Sequence, residues 1–156
     1  MKQTATSNKD SRKPLDSKAS ARQVSSQQDA LKSLAWSYAK EALAILQATT
    51  KKKLRVDEIL TSGRMTSTLG YAQWKYLRSR RYHYTIKLST AIFKGDSQVL
   101  RDTVYHEVAH LVDYQLYKNW GHGHTWKQLM IKLGLQPNVY CESEELATIG
   151  YEIKPR

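Results

Sequence analysis

His106-Glu107-Val108-Ala109-His110 sets two imidazoles four residues apart with a carboxylate beside the first. On a helix, such residues lie about 40° apart around the axis, so both rings can converge on one cation. Glu107 then projects next to the pair, within reach of a water at the metal without being a ligand. This is the HExxH arrangement of zinc hydrolases. Five His and seven Glu in 156 residues give only roughly 0.007 chance matches, so coincidence is a poor explanation. A catalytic zinc takes three protein ligands and keeps a fourth position open. The extended HExxHxxGxxH pattern fails, because Asp113 and Leu116 stand where it needs glycine and histidine. The third ligand then comes from Gly121-His122-Gly123-His124 or from Glu142, Glu144 or Glu145. The three glutamates read more simply as a solvated acidic turn.

The elements that must position these groups follow from apolar spacing. Leu31, Leu34, Ala35, Tyr38, Ala42, Ile45 and Leu46 recur at helical intervals after N-cap candidates at 26–29, predicting a helix over 28–48. Leu54-Arg55-Val56 opens a predicted strand, Ser62-Gly63 reads as a turn, and Thr66 to Trp74 suits a second strand. Tyr82, Tyr84, Ile86 and Leu88 alternate with His83, Thr85, Lys87 and Ser89, the clearest strand pattern in the chain. Leu100, Val104, Val108, Leu111 and Val112 predict a helix over 98–118 that carries the HExxH residues. A third helix follows Gly123, with Trp126, Leu129, Met130 and Leu133 on one face and Gly134 and Pro137 at its end. A short strand is expected at 147–153. The resulting fold class is α+β.

Residues 1–27 carry almost no large apolar side chain, so they are expected to form a disordered basic tail ahead of one domain, 28–156. The net charge is +11, and residues 50–87 alone supply +8 of it. A basic segment of that density suits a polyanionic partner. Lys75, Arg78, Arg80 and Arg81, interleaved with Trp74, Tyr76 and Tyr82, are the candidate DNA contacts. The plainer reading is a hairpin with core aromatics and solvated charges. No apolar run reaches 18 residues, which excludes a spanning helix. Cys141 is the only cysteine, so neither an internal disulfide nor a Cys-based zinc ribbon forms within this chain. The expected location is cytoplasmic, associated with DNA or the nucleoid.

HEVAH followed by His122-Gly123-His124-Thr125-Trp126 resembles the SprT family of metalloproteases, whose pattern is HExxH, a variable loop and a His-Gly-x-x-aromatic element. Thr61 to Met65, Leu69 to Ala72 and Ile86 to Ser89 resemble the family's strands before the active helix. The resemblance implies a zincin-like domain with an N-terminal helix, a small three-stranded sheet, the HExxH helix and a following helix. It implies Zn2+ held by His106, His110 and His122, with Glu107 as general base for peptide hydrolysis by a zinc-activated water. The family includes Spartan, which cleaves proteins crosslinked to DNA, so a protein substrate on DNA is the implied partner. Many members add a Cys-rich zinc ribbon, which this chain lacks. Two other readings stay open: a DNA-binding module with a structural zinc, and a metal-dependent hydrolase unrelated to DNA. Among the tyrosines near the motif, Tyr105, Tyr114 and Tyr117 are candidates to stabilise an oxyanion, and Asp113 to orient a ligand.

Overall fold

The computed structural model describes residues 8–94 and 96–137. Along the chain it runs α1 (Asn8–Gln47), β1 (Glu58–Ser62), β2 (Gly70–Tyr76), β3 (Tyr82–Ser89), a short 3-10 helix (Thr90–Lys94), α2 (Ser97–Tyr117) and α3 (His124–Lys132). The class is α+β, with three helices against a small mixed sheet.

The sheet order is β1-β3-β2, with β1 parallel and β2 antiparallel to the central strand. Central position explains a departure from the expected alternation. Thr85 and Ser89, predicted to face solvent, are buried along with Tyr84, Ile86 and Leu88. Ser89 is held on both sides of its backbone: its N–H donates to Leu69 and its hydroxyl to the Met65 carbonyl. Two strand bounds also shift. Leu54-Arg55-Val56 is not a strand, because side-chain amides take its backbone groups. Gln47 Oε1 accepts from Leu54 N–H at 2.9 Å, and Gln115 brackets Arg55 by accepting from its N–H and donating to its carbonyl. The second strand begins at Gly70, where an added Cβ would meet Thr103 of α2 at 3.0 Å. Only glycine lets the edge strand approach α2 this closely.

Helix α2 is the middle of the domain. Asp96 caps it by accepting from Gln98 and Val99 N–H at 3.0 and 3.1 Å. Val104, Val108, Leu111 and Val112 are fully buried between α1 and the sheet. On α1 the buried stripe is Leu31, Ala35, Ala39, Ala42 and Leu46, and its three alanines let the two helix backbones lie close. That helix begins at Asn8, not near residue 28 as expected. Residues 1–7, the expected strand at 147–153, Cys141 and the glutamates at 142, 144 and 145 lie outside the described residues.

Candidate metal centre

His106 and His110 occupy successive turns of α2, and His122 comes from the loop between α2 and α3. Their Nε2 atoms form a triangle with sides of 3.2, 3.1 and 3.4 Å. Three nitrogens at about 2.05 Å from one tetrahedral zinc stand about 3.3 Å apart. The donor set therefore fits the ion in type, number and spacing. His110 also donates to the Gly121 carbonyl. With Nε2 aimed into the triangle, that donor is Nδ1, which leaves a lone pair on Nε2. That lone pair faces the other two rings, the orientation a metal ligand needs. Burial lowers His106 to about 4 and His110 to about 3, each helped by a neighbouring ring. Burial also lowers His122. Each shift favours the neutral imidazole, the form that ligates a metal.

The wall behind the triad is Trp126. It is fully buried, and its ring centroid lies 4.8, 5.2 and 4.6 Å from those of His106, His110 and His122. Helical spacing marks Trp126 as core, but only the fold shows that its core is the back of the metal site.

Glu107 is 6% exposed, and burial raises its carboxyl to about 8. The Ala72 N–H of β2 donates to it and pulls in the opposite direction. Ala72 has that amide to spare. Leu69–Ser89 and Leu77–Arg81 bonds set the ladder parity, so Gly70, Ala72, Trp74 and Tyr76 point their backbone groups away from β3. Thr68 Oγ1 covers the Gly70 carbonyl at 2.9 Å. Beyond Ala72 the edge of β2 runs past Trp74, which stacks on Tyr114 of α2 at 4.2 Å and 18°.

Other candidate residues separate from the centre. His124 starts α3 and lines a shallow cleft of about 390 Å³ with Asn119, Trp120, Gly123 and Thr125, outside the triad. Tyr105 is fully buried under Arg101, whose guanidinium lies 4.4 Å from its ring, and it is near Glu41 of α1. That places it on the α1 side of α2, away from any oxyanion. Tyr114 is committed to stacking, with its hydroxyl 3.1 Å from that of Tyr82. Tyr117 is half exposed on the last turn of α2. His83 lies on the sheet, 3.8 Å from Glu58. Lys75, Arg78, Arg80 and Arg81 are exposed together at the β2–β3 hairpin, and none belongs to the triad. Its turn closes through Leu77 N–H to Arg81 O at 2.8 Å, with Arg80 in the left-handed region at φ 62°.

No helix among the described residues is long and apolar enough to cross a membrane. No curated protein and no solved structure matches the chain. The model of the SprT-like family does match, over residues 39–145. That span takes in the packed end of α1, the whole sheet, the helix bearing His106 and His110, and the loop bearing His122. More than half of the sequence thus matches one family, and the chain belongs to the SprT-like family.

Proposed function

We propose that this protein is a zinc-dependent metallopeptidase that cleaves proteins associated with or crosslinked to DNA. The observation that carries the reading is a buried carboxyl at Glu107 beside three imidazoles whose Nε2 atoms stand at zinc spacing. His106, His110 and His122 would hold the zinc, which when bound would supply Lewis acidity for a carbonyl and a water of pKa near ~7. The chain's own groups do the rest. Glu107, whose carboxyl a bound cation beside it would return to the ionised form, takes a proton from the attacking water and returns it to the leaving amine. The Ala72 N–H orients that carboxylate. Trp126 closes the back of the site to solvent. Among the described residues no strand pairs with the outer edge of β2, so an extended peptide can add there, which suits a protein substrate over a small molecule.

The basic β2–β3 hairpin supports the DNA part of the reading. Lys75, Arg78, Arg80 and Arg81 are solvent-exposed at the end of the same edge strand that would hold the peptide. A protein bound to a nucleic-acid strand could then engage cleft and hairpin together. On this reading the protein works in the cytoplasm, on DNA or the nucleoid. The test is cleavage of a basic protein by the purified zinc-loaded enzyme, with and without single- and double-stranded DNA. Cleavage stimulated by DNA supports the whole reading. Cleavage indifferent to DNA and salt leaves a general metallopeptidase, and zinc binding without cleavage leaves a structural metal.

A further inference from the structure

Asp113 stands three residues past His110 and seven past His106, so it continues the ligand face of α2. It is 1% exposed, and neither carboxylate oxygen has a hydrogen bond of full geometry. A buried carboxylate in that condition is costly and calls for a compensating role. The polar group facing it is the Thr125 hydroxyl, in the first turn of α3. Thr125 Oγ1 already accepts from Asn119 Nδ2 at 3.1 Å, which leaves its own proton to turn towards Asp113. Helix α3 starts at Gly123 with no side-chain cap of its own.

These contacts bracket the segment that carries His122. On its α2 side the Lys118 N–H donates to Tyr114 O at 3.0 Å, and His110 donates to Gly121. On its α3 side Asn119, Thr125 and Asp113 draw the helix start against α2. We infer that Asp113 is a positioning residue for the metal centre, holding the start of α3 so that His122 completes the ligand triangle. It acts through Thr125 and the loop and does not touch the metal. The inference rests on the triad being a metal site, and is independent of peptide hydrolysis.

The test measures zinc affinity by competition with a chromophoric chelator, alongside thermal unfolding of the metal-free protein. Asp113→Ala should weaken zinc binding roughly 10- to 100-fold, the range for groups that orient ligands. Thr125→Val should weaken it in the same direction by less, and Asp113→Asn, which keeps an acceptor in place, should recover part of the loss. The metal-free Asp113→Ala protein should unfold close to wild type, because the carboxyl's desolvation cost and its contact to Thr125 are lost together. Zinc affinity unchanged in Asp113→Ala overturns the inference. So does a loss of affinity matched by a fall in metal-free stability, which describes an ordinary structural residue. If Asp113→Ala does not fold, Thr125→Val decides alone: unchanged affinity there rejects the inference. A wild-type protein that binds no zinc removes the metal centre itself, and the inference with it.

Discussion

The Ala72 N–H of β2 donates to the Glu107 carboxyl of α2, tying the outer edge of β2 to the carboxyl beside His106. Because this amide lies outside the β2–β3 ladder, it can be removed without breaking the sheet. Ala72→Pro should keep the fold and the zinc but lower kcat roughly ten- to a hundredfold, the worth of one hydrogen bond to a charged group. Ala72→Ser, which retains the N–H, should stay near wild type. Circular dichroism, zinc analysis and initial rates on the three proteins check this. Equal kcat in Ala72→Pro means the amide does not act on the base.

The ligand assignment separates two histidines only two positions apart. His122 Nε2 completes the triangle, while His124 lies outside it. His122→Ala should leave the protein largely zinc-free after dialysis, and His124→Ala should keep its metal. Stripping zinc from wild type with a chelator should abolish cleavage, and adding zinc should restore it. Metal analysis with the reverse ranking transfers the third ligand to His124.

How far the sequence alone led depends on what carries a residue signature. Two His at i and i+4 with Glu between are visible in one dimension, and so is the stripe of α2 that buries Val104 and Val108. The third ligand was narrower than its neighbourhood: Gly-His-Gly-His offers two imidazoles, and only the family pattern and then the fold single out His122. The Ala72 amide carries no signature at all, because backbone groups are the same at every residue. Asp113 reads from the sequence as a candidate to orient a ligand, but its burial depends on where α3 lands. Leu54 to Val56 has strand composition, yet Gln47 and Gln115 take its hydrogen bonds, a long-range choice that propensity does not encode.

Glu107 also makes the metal-free protein pH-sensitive. Its folded pKa, about 8, stands above the ordinary 4.5, so the folded state holds the proton more tightly than the unfolded chain. That stabilisation is complete below the unfolded value and is lost as pH rises through about 8. Gln does not titrate. The metal-free Glu107→Gln protein should therefore gain on metal-free wild type between pH 5 and 9, reaching ~2 kcal/mol or more, about 5 °C or more in Tm. The lowered histidines act at the acid end and equally in both proteins, so they cancel in the difference. Tm measured in chelator across that range checks it, and a constant difference contradicts it.

The basic hairpin gives a salt-dependent prediction. Lys75→Gln, Arg78→Gln, Arg80→Asn and Arg81→Gln together should weaken DNA binding with zinc content unchanged. Asn suits position 80 because its backbone is left-handed. If all four contact phosphates, the log–log salt slope on single strands falls by roughly 3. A protein starting at Gln28 tests the rival anchor, the basic N-terminal stretch. Binding that survives the fourfold change and vanishes on truncation assigns the DNA to that stretch.

The central claim is that Glu107 works as a base beside a bound zinc, and one comparison addresses it directly. Wild type and Glu107→Gln, both carrying a full complement of zinc, are incubated with the same protein substrate and the cleavage rate is followed. The amide is nearly the same shape but cannot take a proton from water, so the rate should fall by several orders of magnitude while zinc content and fold persist. A zinc-loaded Glu107→Gln protein that cleaves at close to the wild-type rate contradicts the account.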